Sequence, residues 1–224
     1  MNLPLGDWLP RSNAINLLAG VFLLSALYAV GQRRSAASIR GLAWNALSLG
    51  LIAAVMAATT GARHLWIAAI LVLVIKGVAI PRVLAQTLAR LKSSEDVEPF
   101  IPIPAAMLLC GGLVVLAFGE TRTLFGTTGT VLASCLPISV ATTLVGLLMM
   151  VVRRKALLQI VGLVIIENSI FLAAISLTYG MPLVVEMGVL LDVLVAVAVL
   201  GMFVPRIEQS FESADTSRLT SLRD

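Results

Sequence analysis

Seven blocks of mostly apolar residues, each about 17–25 long, dominate this chain and constrain its fold more than any other feature. They run roughly over 14–31, 41–60, 65–84, 103–119, 131–151, 157–179 and 182–204. At 1.5 Å per residue a helix of about 20 residues spans the ~30 Å hydrocarbon core of a bilayer. In lipid each backbone N–H and C=O must find its partner inside the protein, so only helices and closed barrels can cross. The alternating ten-residue strands of a barrel are absent from the pattern, and the expectation is an all-α, multi-pass membrane protein. Apolar residues fill 59% of 224 positions and charged ones 12%, against about 25% charged in soluble domains, which excludes an ordinary soluble fold.

The few charges are not scattered. Of the 16 Lys and Arg, 12 follow odd-numbered blocks: Arg33, Arg34 and Arg40; Arg82, Arg90 and Lys92; Arg153, Arg154 and Lys155; and Arg206, Arg218 and Arg223. Arg11, Arg63 and Arg122 lie on the other side, and Lys76 falls inside a block. By the positive-inside rule this alternation puts the N-terminus outside and the C-terminus in the cytoplasm. The net charge of +4 is thus membrane topology rather than a nucleic-acid surface. The longest polar connection separates a three-helix region at 1–87 from a four-helix region at 103–204, with a cytoplasmic connection at 88–102 and a polar tail at 205–224. Cys110 and Cys135 stand alone in apolar blocks and read as small hydrophobes. No metal-ligand cluster, phosphate loop or nucleophile with a base occurs, so no cofactor and no catalytic residue is expected in this chain.

Four ionisable residues break the apolar pattern: Lys76 in IAAILVLVIKGVAIP, Glu167 in QIVGLVIIENSIFLAAISL, and Glu186 and Asp192 in PLVVEMGVLLDVLVAVAVLGMFV. A charge at membrane depth costs a few kcal/mol or more and usually faces a bundle interior or an ion path. The turn TYGMP, with Gly180 and Pro182, joins blocks six and seven as antiparallel neighbours. Measured from Met181 along the helices, Asp192 lies about 16 Å deep, Glu167 about 21 Å and Glu186 about 8 Å, with Lys76 again at about 16 Å. Glu186 and Asp192 are about 240° apart around one helix and do not share a face. Asn168 and Ser169 add polar groups beside Glu167, which is the strongest candidate for a proton carrier; a hydrogen-bonded helix tie is the alternative. For Lys76 a proton relay and a structural ion pair stand side by side. Pro81, five residues on, removes a backbone donor and crowds the carbonyl of residue 77, so a kink is expected there.

The stretches VGLLMMVVRRKALLQIVGLVIIENSIFLAA and PLVVEMGVLLDVLVAVAVL resemble hydrogenase-4 component E. That family belongs to the membrane arm of complex-I-like group 4 [NiFe] hydrogenases and formate hydrogenlyases. IENS and VVEMGVLLDVL carry most of the resemblance, with NLLAG and IKGVAIP less specific, and it spans essentially the whole chain. The last three blocks also resemble the K-type subunit of complex I and the C-type subunit of multisubunit Na⁺/H⁺ antiporters, with Arg153 and Arg154 matching their basic loop pair. One membrane glutamate of the K-type subunit falls on Glu186. The other falls on Val164, which cannot titrate, and Glu167 lies nearly one turn further on. The resemblance implies a non-catalytic subunit in the inner membrane, between antiporter-like subunits and the hydrogenase membrane anchor. It also implies a proton or Na⁺ route through Glu186, with Glu167 in place of the second glutamate and nickel and iron–sulfur centres in other chains; Lys76 and Asp192 join the candidate route from their places inside apolar blocks. An antiporter subunit without a redox partner, or a structural spacer, are the alternatives.

Overall fold

In the computed structural model, residues 8–61, 63–90, 100–125 and 131–178 are described, all within the first of two compact units, Met1–Gly188. The described residues are helical apart from short connections. They form α1 (Trp8–Gly31), α2 (Ser35–Thr60), α3 (Arg63–Leu71), a π-helical segment (Val72–Ala79), α4 (Ile80–Arg90), α5 (Ile103–Phe125), α6 (Val131–Val152) and α7 (Ala156–Thr178). α3, the π segment and α4 follow without a break, so six spans are long and apolar enough to cross a membrane among the described residues. The seventh block at 182–204, with Glu186 and Asp192, and the tail at 205–224 lie outside the described residues, as do 91–99 of the connection expected at 88–102.

The helices run beyond their apolar blocks. α1 begins at Trp8 instead of 14, α2 at Ser35 instead of 41, and α5 continues to Phe125 instead of 119. Hydropathy marks the part of a helix that meets lipid, whereas the backbone ladder ends only where a residue breaks it. For α2 that residue is Gly61, whose φ of 67° a side chain would strain; its N–H donates to the Ala57 carbonyl at 3.0 Å.

Burial differs sharply among the spans. α2 and α7 are the most enclosed, with 61% and 67% of their apolar windows buried, and α5 is the least, at 17%. Interior polar groups therefore concentrate on α2 and α7, while α5 turns Leu108, Val115 and Leu116 outward. Phe22, Leu49, Ile52, Leu65, Leu172 and Ile175 fill the space among α1, α2, α3 and α7. Between α6 and α7 the backbones themselves meet. A Cβ on Gly146 would lie 3.0 Å from the Gly162 carbonyl oxygen, and one on Gly162 would lie 3.0 Å from that of Gly146. Without a hydrophobic effect between helices in lipid, such small-residue contact is what lets two backbones pack closely.

The expected disturbance at Pro81 takes a specific form. The helix widens just upstream, and the Ile80 N–H donates to the Ile75 carbonyl five residues back. The wider turn relieves the clash between a proline ring and the carbonyl four residues before it. Lys76 occupies the middle of this segment.

Candidate functional site

The Lys76 Nζ lies 3.6 Å from Glu167 Oε1, and the two side chains are 0% and 4% exposed. Residues far apart in sequence thus meet inside the bundle, one from the π segment and one from the middle of α7. Their similar depth was legible from residue counting; their lateral meeting was not. Phe171, one turn along α7 from Glu167, presents its ring 5.9 Å from Nζ, near the outer limit for a cation–π contact.

A second polar arrangement adjoins the pair. Asn168 donates from Nδ2 to Asn45 Oδ1 at 2.9 Å, and Asn45 donates from its own Nδ2 to the Phe22 carbonyl at 3.0 Å. A carbonyl can only accept, so Phe22 fixes the polarity of the chain. Asn45 must turn its amide nitrogen to Phe22 and its oxygen to Asn168, and Asn168 must then donate. Three helices, α7, α2 and α1, are tied in one direction. Ser48 donates to the Asn45 carbonyl at 2.8 Å and Ser25 to that of Phe22 at 2.7 Å, so the arrangement continues along the α1–α2 contact. On the α6 side of α7, the Ser169 and Thr143 hydroxyls are 2.7 Å apart.

Arg153 occupies another interior position. Although it lies in the connection between α6 and α7, it is 3% exposed. Its Nη2 donates to the carbonyls of Val30 and Gln32 at 2.5 Å and 2.6 Å. These belong to the C-terminal end of α1, where backbone carbonyls lack helical partners and the helix dipole favours a cation. Its neighbour Arg154 stacks 4.3 Å from the Phe100 ring, and the Phe100 N–H donates to the Val152 carbonyl at 3.0 Å. The two arginines of the basic loop therefore differ in role, one buried as a helix cap and one lying on an aromatic ring.

Asn45 and the burial of Arg153 escape a reading of sequence pattern. Asn45 sits singly in LAWNALSLG, where a polar residue could face either a neighbour or water, and Arg153 reads as one more basic loop residue. The available signal for Asn45 was that it interrupts an apolar block, as Glu167 and Lys76 do. Among the described residues no group of three or more His, Cys, Asp or Glu side chains comes together to hold a metal. Cys110 and Cys135 are both buried free thiols. The site so assembled brings one basic and one acidic side chain within 3.6 Å of each other, both nearly unexposed.

An uncharacterized protein of Mycobacterium tuberculosis, Rv0085, is 31% identical to this chain over 211 residues, covering 94% of this chain and 96% of that protein. The chain belongs to the family of that protein. Hydrogenase-4 component E of Escherichia coli K12 is also similar, at 28% identity over 215 residues, covering 95% of this chain and 98% of that subunit. The same subunit of Shigella flexneri matches equally. No family model and no solved structure matches the chain. Both alignments run nearly end to end, so the similarity spans the whole chain rather than one segment.

Proposed function

We propose that this chain is a non-catalytic integral membrane subunit of a complex-I-like membrane-bound hydrogenase, of the hydrogenase-4 or formate hydrogenlyase type. In this reading it sits in the bacterial or archaeal inner membrane beside antiporter-like subunits and the hydrogenase anchor. It helps to move protons or Na⁺ in step with electron transfer carried out by other chains. The similarity to hydrogenase-4 component E over 95% of the chain supports the assignment to such a complex. The observation that carries the transport role is the Lys76–Glu167 pair, enclosed at 0% and 4% exposure within helices of membrane length. A buried pair is a weak contributor to stability, since its attraction roughly offsets the desolvation of its members. It is accordingly better explained as a carrier of charge than as a fastening. Glu186 and Asp192 extend the route in this proposal; they lie outside the described residues.

The test is the paired variant Lys76→Met/Glu167→Gln, which removes both ionisable groups together. The complex is expected to assemble, retain electron transfer to its redox partner and lose ion translocation into membrane vesicles. An assembled double variant that translocates at the wild-type rate removes the pair from the route. Co-purification from mild detergent without any hydrogenase subunit, but with antiporter-like subunits, would place the chain in an antiporter instead.

A further inference from the structure

A groove opens between the N-terminal half of α2 and the start of α4, with a volume of about 550 Å³. Arg34, Arg40 and Arg82 line it, and all three side chains are exposed. Its remaining lining is apolar and includes Ala43, Gly77 and Val78. Among the described residues none of the three arginines makes an ion pair, and the sequence holds no Asp or Glu between Asp7 and Glu95. The positive charge along this wall therefore has no counter-charge on the helices that build it.

We infer that the groove binds an anionic phospholipid, with the phosphate headgroup against Arg34, Arg40 and Arg82 and an acyl chain along Ala43, Gly77 and Val78. Charge complementarity and shape both lead there. A groove with cations and an apolar floor, cut into a membrane-spanning face, offers each half of a lipid the surroundings that it needs. Basic hollows between membrane helices at the headgroup level are suited to anionic lipid heads. The N-terminus of α2 adds to the attraction. Arg34 is its N-cap residue and no side chain caps it, so first-turn N–H groups and the positive end of a 26-residue helix face the same region. Arg40 also borders a second hollow beside Tyr28 and Trp44, which are 43% and 61% exposed. Half-exposed aromatic rings with a polar tip are characteristic of the membrane interface. A free phosphate ion would find the arginines but no use for the floor, and an acidic protein segment would gain little from a floor that faces hydrocarbon.

The inference stands apart from the hydrogenase reading, because it needs only that the chain spans a membrane. It has one consequence for the candidate site. Gly77 and Val78 directly follow Lys76, so an acyl chain in the groove touches the outside of the π segment whose interior carries the ion pair.

Native mass spectrometry of the complex, released from vesicles of phosphatidylcholine with and without phosphatidylglycerol, tests this. The wild-type complex is expected to retain phosphatidylglycerol in preference to phosphatidylcholine. Arg40→Gln/Arg82→Gln should lose about fivefold in that preference for each arginine removed, while Arg40→Lys/Arg82→Lys should keep most of it. Ala43→Trp, which leaves every arginine in place and fills the floor, should also reduce retention. Equal retention of both lipids, or undiminished preference in the glutamine variant, overturns the inference. So does displacement of the lipid by inorganic phosphate alone, which would make the site one for a free anion. Loss of a neighbouring subunit from the glutamine variant with lipid preference intact would make the groove a protein interface and would equally overturn it.

Discussion

Breaking the Lys76–Glu167 pair from either side should cost far more than removing it altogether. With the partners 3.6 Å apart and 0% and 4% exposed, Glu167→Leu leaves an ammonium enclosed in the bundle, and Lys76→Met leaves a carboxylate there. Removing one member of a buried ion pair typically costs about 3–5 kcal/mol. The Phe171 ring at 5.9 Å from Nζ cannot replace the carboxylate, since a cation–π contact contributes about 2 kcal/mol at best and less at this distance. The double variant Lys76→Met/Glu167→Leu replaces the pair by apolar groups, and such exchanges are neutral or stabilising by about 1–4 kcal/mol. A double-mutant cycle should therefore show a coupling of several kcal/mol, with each single variant well below the wild type and the double variant near it. The buried free thiols of Cys110 and Cys135 supply the assay, because a thiol-reactive fluorophore labels them only as the bundle opens. At roughly 2–4 °C per kcal/mol for a chain of this size, each single variant should melt on the order of 10 °C below the wild type. Additive effects, or single variants within about 1 kcal/mol of the wild type, would mean that the two groups are not a charged, enclosed pair.

The remaining expectations concern the framework around the pair. Asn45→Leu takes the acceptor from the Asn168 amide, while the Phe22 carbonyl keeps the Ser25 hydroxyl, and should destabilise by about 1–3 kcal/mol, with Asn45→Leu/Asn168→Leu costing less than the sum of the two single changes; thermal melts read this directly. Gly146→Leu should separate α6 from α7, since its Cβ already falls 2.7 Å from Ile166 Cγ1 and 3.0 Å from the Gly162 oxygen, and should lower the yield of folded protein in detergent much more than Gly119→Leu, whose Cβ meets nothing within 4 Å. Arg153→Ala should cost about 1–3 kcal/mol by removing the donor that Nη2 supplies to the Val30 and Gln32 carbonyls, and Arg153→Lys should recover only part, because the shorter lysine side chain ends before the position of Nη2; limited proteolysis at the end of α1 would register the loosening. A fluorescent reporter that folds only in the cytoplasm should shine when fused after Asp224, and a periplasm-only reporter at that position should stay silent, if the twelve-to-three division of basic residues sets the topology.

What the sequence determined by itself was the kind of structure and the identity of its costly residues. A bilayer permits few solutions, and blocks of about 20 apolar residues with no barrel alternation left only helices. The six described spans follow six of the seven blocks, and their ends moved because a helix stops at a residue such as Gly61, not where hydropathy falls. Lys76 and Glu167 stood out in sequence for the same reason, since hydrocarbon makes a charge conspicuous. Rise per residue even put the two at similar heights, as their 3.6 Å contact requires. Rotation and lateral neighbours, in contrast, depend on which helix faces meet. Only the tertiary structure decided that the π segment turns Lys76 toward α7, that Asn45 bridges Asn168 to Phe22, and that Arg153 leaves the loop between α6 and α7 to cap α1. Each of these contacts joins residues of different helices, and their partners are chosen by packing at places such as Gly146 and Gly162, where two backbones touch. Hydropathy specifies that a residue must avoid lipid; the partner it finds is a property of the assembled bundle.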